Sequence, residues 1–273
     1  MLSRSNLLAR LLTATLVLPV VIWFVYWGRL AFLILVSLIL TLAVSEYHRL
    51  VVQIGLRPFI PFGVALVWLS VLDAYFVEAD FWRLGEALVM LASLAWQLLS
   101  RRERDIADWA LTIAGGVYIG LCGAYLIRLR NLPADGLWWT LIVLSATFSA
   151  DTGAQIVGLT LGRHRMTPEL SAGKTWEGYA GGLMLGSAGA ALIAALSRHW
   201  GGATVLVSHS WVVGLLIAAL APMGDLAVSM LKRQAGVKDS GRLFPGHGGA
   251  LDRLDSLLWA AVIGYYYVVW FAA

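Results

Sequence analysis

The 273-residue chain is 60% apolar and only 13% charged, against about 25% charged residues in soluble domains. That balance excludes a disordered chain, a coiled coil and an ordinary soluble enzyme. It fits a polytopic membrane protein, because about 20 apolar residues span a bilayer. The net charge of +4 points to anionic headgroups and not to nucleic acid, and the single Cys122 excludes a disulfide framework or a cysteine-rich metal site.

Nine apolar runs are predicted to cross the membrane. They lie at roughly 11–27, 30–45, 59–77, 82–99, 109–127, 136–161, 176–196, 204–231 and 256–272. The first is read as a span and not as a signal peptide. No small-x-small cleavage site follows it, and a second apolar run begins at Leu30. The sixth and eighth runs are long and contain Asp151 and Asp225, so they are expected to tilt, break or extend out of the bilayer. With the N-terminus in the cytoplasm, fifteen of the 20 Lys and Arg fall on the cytoplasmic side and five on the other, a positive-inside bias. The fold expected is therefore all-α, a polytopic helical bundle of about nine transmembrane helices. It is read as a single membrane domain over 1–273. Residues 1–130 form an amino-terminal scaffold half for dimer or lipid contacts, and 131–273 form a catalytic half.

The first half is chemically quiet. Glu46, His48 and Arg49 close the second span and are read as interfacial, and Asp73 as lying near the outer interface. The stripe Gly178-x-x-Gly181-Gly182-x-x-x-Gly186-x-x-Gly189 is read as a helix-packing surface.

The second half gathers its charges into polar islands between apolar runs. Ser149 to Ala154 places Asp151 inside the sixth run. The island Gly162 to Gly178 follows, with Ser171, Lys174, Thr175 and Glu177. Gly173-Lys174-Thr175 superficially matches the end of a P-loop. However, the first glycine of that motif would fall at Pro168 and no strand precedes it, so a Walker A site is rejected. The same residues read as a capped helix start, with Thr175 or Ser171 as the cap. A capped start is compatible with anion binding at a helix N-terminus.

Between Pro222 and Ser256 stand Asp225, Lys232, Arg233, Lys238, Asp239, Arg242, Asp252, Arg253 and Asp255, flanked by apolar runs. Charges at membrane depth are costly and mark function. Gly246, Gly248 and Gly249 permit close backbone approach to a ligand, and backbone N–H groups there can form an anion nest. Lys and Arg supply charge-assisted donors to phosphate. Mg²⁺ takes one or two carboxylates, keeps waters and completes its shell from substrate phosphates. Asp255 reads equally as a first-turn acid favoured by the helix dipole.

The stretch Ser229-x-x-Lys232-Arg233-x-x-x-x-Lys238-Asp239-Ser240-Gly241-x-x-x-Pro245-Gly246-His247-Gly248-Gly249-x-x-Asp252-Arg253-x-Asp255-Ser256 resembles the signature of phosphatidate cytidylyltransferases, also called CDP-diacylglycerol synthases. Ala150 to Ala154 and Lys174-Thr175-x-Glu177-Gly178 look like the same family, although the turn after Gly162-Arg163 is shorter than its members commonly have. The resemblance implies an enzyme of the bacterial inner membrane, with its site facing the cytoplasm. It would join CTP and phosphatidate into CDP-diacylglycerol and pyrophosphate. It implies dependence on Mg²⁺, a second monovalent metal such as K⁺, membrane-lipid contacts and a homodimer. Asp225 and Asp252 are the first candidates for metal ligands, with Asp151 and Asp255 behind them. Lys232, Arg233, Lys238, Arg242 and Arg253 are candidates for the triphosphate and the lipid phosphate. Ser171, Lys174 and Thr175 share that role, and Ser229, Asp239, His247, Gly248 and Gly249 are candidates for substrate binding. Another CTP- or CDP-using membrane transferase is the nearest rival, but the Asp-Gly-x-x-Ala-Arg motif of CDP-alcohol phosphatidyltransferases is absent. A transporter is a second rival, disfavoured because the polar residues collect on one side.

Overall fold

The structure is a computed structural model that describes residues 19–76, 81–100, 105–201, 203–241, 243 and 248–272. Among the described residues it is almost wholly helical, as an apolar chain must be where lipid offers backbone groups no hydrogen-bond partners. Residues 19–27 are helical and lead into nine α-helices. These are α1 (Arg29–Gln53), α2 (Ile60–Tyr75), α3 (Phe81–Leu99), α4 (Ile106–Arg130), α5 (Gly136–Leu161), α6 (Trp176–Trp200), α7 (Val207–Leu220), α8 (Pro222–Gln234) and α9 (Leu251–Tyr267). A short π-helical turn, Val268–Ala272, ends the chain.

Six stretches are long and apolar enough to cross a membrane: Arg29–Gln53, Ile106–Arg130, Gly136–Leu161, Trp176–Trp200, Val207–Gln234 and Leu251–Ala272. The protein is an all-α membrane protein. Three of the nine predicted runs are not among these six. Ile60–Tyr75 is apolar but shorter. Phe81–Leu99 opens with Arg83 and Glu86. Of the run at 11–27, residues 11–18 lie outside the described residues. The predicted eighth run divides at Ala221, where Pro222 opens a new helix. The sixth does not divide. Helix α5 runs unbroken through Asp151, and Thr152 keeps its hydroxyl satisfied on the Phe148 carbonyl one turn back (2.7 Å).

The chain forms two compact units, each built from two stretches. The first takes residues up to Arg128 together with Leu231–Leu254, so the charged connection between α8 and α9 groups with α1–α4. Small residues on α4 set its packing. Gly116 and Gly120 sit against the backbone of Gly63 and Val67 on α2, and Gly123 against Leu40 on α1. Asp108, 4% exposed, accepts from the Arg57 backbone N–H (2.7 Å), and Thr112 accepts from that of Phe59 (3.0 Å). Asp73, read from sequence as lying near the outer interface, pairs with Arg128 and with Arg83.

The second unit comprises Leu129–Met230 and Asp255–Ala273. Its centre is the packing of α6 on α5 and α7, and the glycine stripe makes it possible. A Cβ at Gly178 would lie 2.7 Å from the Ala154 carbonyl oxygen, and one at Gly186 would lie 2.9 Å from the Ala218 Cβ. The predicted packing role of the stripe is what the structure contains. The reading that no strand precedes Gly173-Lys174-Thr175 is overturned: residues Arg165–Thr167 (β1) and Ser171–Thr175 (β2) form a two-stranded antiparallel hairpin ahead of α6, although Pro168 still stands where a P-loop needs its first glycine.

Candidate functional site

Two lysine–aspartate pairs stand out among the candidate residues, one in each unit. In the second unit, β2 delivers Lys174 and the first turn of α8 delivers Asp225. Lys174 Nζ lies 2.7 Å from Asp225 Oδ2 and 3.4 Å from the Pro222 carbonyl oxygen. The side chains are 23% and 33% exposed, so the pair is reachable by a ligand. Asp225 Oδ1 accepts from Ser229 one turn along (3.3 Å). Asp255 is 8% exposed, accepts from the Ser256 backbone N–H (2.7 Å) and is within side-chain hydrogen-bonding contact of Asp225. Asp151 acts on Asp255 electrostatically. Gly224 is what permits this meeting. Its Cα lies against the Asp255 backbone carbonyl and the Trp259 ring edge, where any side chain would force α8 and α9 apart.

The hairpin that carries Lys174 is fixed from α6. Thr175 caps that helix, accepting from the Gly178 N–H (3.1 Å). Glu177, at the second helical position, turns toward the preceding turn. Its carboxylate accepts from the Arg163 and His164 backbone N–H groups (3.1 and 3.2 Å) and pairs with His164 Nδ1 (2.5 Å). Ser171 is half-buried in β2, opposite Thr167.

The first unit holds a different arrangement. Lys232 Nζ lies 2.7 Å from Asp252 Oδ1, with side chains 10% and 6% exposed. Asp252 Oδ2 accepts from the Ser240 N–H (2.8 Å), the Ser240 hydroxyl (3.0 Å) and the Gly249 N–H (2.9 Å). Both oxygens of the aspartate expected to bind metal are thus already engaged by protein donors. Lys232, expected on a phosphate, is buried against Asp252. The Gly249 N–H, expected in an anion nest, is likewise turned to Asp252. Gly248 has φ +82°, a left-handed conformation that glycine adopts without strain. Arg233, Lys238, Asp239 and Arg253 are exposed, and Arg233 Nη1 donates to the Val237 carbonyl (3.3 Å). Arg242 and His247 lie outside the described residues.

Sequence reasoning missed Glu46. Read only as closing the second span, it is 6% exposed on α1 and, among the described residues, makes three hydrogen bonds. It accepts from the Ser240 hydroxyl (2.8 Å), the Ala250 N–H (3.0 Å) and the Leu251 N–H (2.9 Å). His48, read the same way, is fully buried against Gly63, whereas Arg49 is exposed. Hydropathy cannot find such a carboxylate, because the donors that compensate its charge lie some 200 residues away. Gly224 went unread for a similar reason: its neighbour across the helix crossing is not its neighbour in sequence.

Among the described residues, no cluster of three or more His, Cys, Asp and Glu is arranged to hold a metal ion unaided. Mg²⁺ does not require one, since one or two carboxylates suffice when waters and substrate phosphates fill the remaining positions. Asp225 and Asp255 supply two carboxylates in mutual contact, the oxygen-donor chemistry that a divalent cation suits.

Apolar spans combined with lysine–carboxylate clusters define a polytopic membrane protein that handles charged groups. Residues 8–271 match the cytidylyltransferase family, and the chain is a membrane-embedded enzyme belonging to that family. It is 32% identical over 269 residues to a phosphatidate cytidylyltransferase of Bacillus subtilis, covering 96% of this chain and 98% of that one. A phosphatidate cytidylyltransferase of Synechocystis is 33% identical, covering 86% of this chain and 87% of the relative. One of Brucella suis reaches 40% over 159 residues, 58% of this chain and 57% of the relative.

Proposed function

We propose that this chain is a phosphatidate cytidylyltransferase that makes CDP-diacylglycerol from CTP and phosphatidate. The observation that carries the reading is the end-to-end match to a relative bearing that name. In the reaction, a phosphate oxygen of phosphatidate forms a bond to the α-phosphorus of CTP. The bond from that phosphorus to the bridging oxygen breaks, and pyrophosphate leaves with the electron pair. A phosphate nucleophile is already ionised near neutral pH, so the protein needs no general base. Its work is positioning and charge neutralisation.

The Lys174–Asp225–Asp255 cluster supports this reading. Asp225 and Asp255 are the residues that would hold Mg²⁺, with Asp151 adding negative charge nearby. When bound, the ion would neutralise charge on the α-phosphate and the departing pyrophosphate. Lys174 shares Asp225 at 2.7 Å. It is placed to exchange that partner for a substrate phosphate, as a flexible point charge can. Asp252, its oxygens engaged, is assigned to holding the segment that bears Lys238, Asp239 and Arg253. Exposed Lys238, Arg233 and Arg253 are assigned to phosphate. A site on the cytoplasmic face of a bacterial inner membrane, a second monovalent cation such as K⁺, and a homodimer belong to the same proposal.

The test uses purified protein in detergent with phosphatidate, Mg²⁺ and CTP labelled at the α-phosphate. Label should pass into the lipid phase only with phosphatidate present, disappear with EDTA and return with excess Mg²⁺. Replacing K⁺ by a bulky organic cation tests the second metal. Label transferred only from the γ-position would identify a lipid kinase instead. Absence of lipid label from folded protein would reject the reading.

A further inference from the structure

We propose that Glu46 is a positioning residue for the substrate-binding segment, a role that rests on the function proposed above. Four observations within the first unit point to it. Glu46 stands on α1, within the Leu11–Leu99 stretch where ionisable residues are sparse, yet it is 6% exposed. Burying a carboxylate is costly unless its oxygens are hydrogen-bonded. Among the described residues, its three hydrogen bonds come from one short stretch, residues 240–251. Two of those donors, the Ala250 and Leu251 N–H groups, are orphan amides at the start of α9, where a negative charge is also favoured by the helix dipole. Finally, two glycines of that stretch are moulded to the carboxylate. A Cβ on Gly241 or Gly249 would collide with the Glu46 carboxyl group.

The consequence lies in what the stretch carries. Ser240 donates its N–H to Asp252 and its one hydroxyl hydrogen is shared between Glu46 and Asp252. Asp252 in turn binds Lys232 and the Gly249 N–H. Glu46 therefore clamps one side of a network whose other side is the Lys232–Asp252 pair. The exposed cations Lys238 and Arg253 stand within two residues of Ser240 and Asp252 in sequence. A triphosphate carries more charge than a phosphate monoester and draws on more of these cations. Loss of the clamp should therefore fall on CTP and spare phosphatidate.

The experiment compares wild type with Glu46→Gln and with the milder Ser240→Ala, all full-length in detergent. The Gln variant keeps the size but removes the charge and one acceptor. The KM for CTP is expected to rise at least tenfold in Glu46→Gln and about threefold in Ser240→Ala, with the KM for phosphatidate within twofold. A constraint lost only from ground-state and transition-state binding together leaves kcat nearly unchanged. Hydrogen exchange gives an activity-free readout. Amide protection at Ala250 and Leu251 should fall at least tenfold in Glu46→Gln, while α4 amides keep theirs. Unchanged protection at Ala250 and Leu251 overturns the inference. So does a folded Glu46→Gln with wild-type KM for CTP, or a loss that merely tracks the unfolded fraction. If wild type itself makes no CDP-diacylglycerol, the functional reading falls, and the exchange data still decide whether Glu46 holds the segment.

Discussion

Lys232–Asp252 and Lys174–Asp225 are the same pair of residue types at the same separation, 2.7 Å. Their surroundings make them different devices. Lys232 and Asp252 are 10% and 6% exposed, and every oxygen of the aspartate has a protein donor. Lys174 and Asp225 are 23% and 33% exposed, and Asp225 also meets a second carboxylate, that of Asp255. A buried, fully satisfied pair resists rearrangement, because breaking it strands a charge in a low-dielectric interior. A part-exposed pair with surplus negative charge can open to a cation or a phosphate. Residue type and spacing are identical; burial and the count of competing donors decide which pair is structural and which is available for chemistry.

Four substitutions would break or sharpen this contrast. The largest effect is expected at Asp255. Asp255→Asn should lower turnover on the order of a hundredfold or more by weakening the proposed metal site, with the melting temperature kept. A variant with near-normal CDP-diacylglycerol formation would remove Asp255 from the metal site. Next comes Asp252→Asn, whose effect should appear first in stability. Leaving Lys232 buried without its counter-charge costs about 3–5 kcal/mol, read as an earlier thermal transition in detergent. A stable but inactive protein would instead return Asp252 to the chemistry. Lys174→Met comes third, with a KM for substrate raised about tenfold, roughly 1.4 kcal/mol, and little change in stability because its ion pair is part-exposed. Unaltered kinetics would mean that Lys174 only shields Asp225. The smallest effect belongs to Arg83→Ala. Arg83 is 63% exposed beside Asp73, which keeps Arg128 as a partner. A change in stability within about 0.5 kcal/mol is expected, with activity unaltered. A large loss there would show that the Leu11–Leu99 stretch is less quiet than its sparse ionisable residues imply.

Much of this molecule could be read from its residues. The helical class follows from the apolar content. The packing use of the Gly178–Gly189 stripe follows from small residues at helical spacing. The signature residues themselves identified the family, but they left the cap of α6 between Thr175 and Ser171, which the structure settles as Thr175. Other features could not be read this way. Composition did not reveal the 165–175 hairpin, because its strands of three and five residues carry too little pattern. Nor did it show the break at Ala221–Pro222 falling where it brings Asp225 to a helix start, or α5 passing unbroken through Asp151.

The sequence by itself determined that this protein lives among lipids and which residue types its chemistry uses. Both follow from local physics, the transfer cost of side chains and the donor set of a motif. Tertiary structure alone decided which aspartate is locked and which is open, and that Glu46 joins the segment some 200 residues later. A charge's role is set by the donors and solvent around it in space, and long-range packing supplies those neighbours.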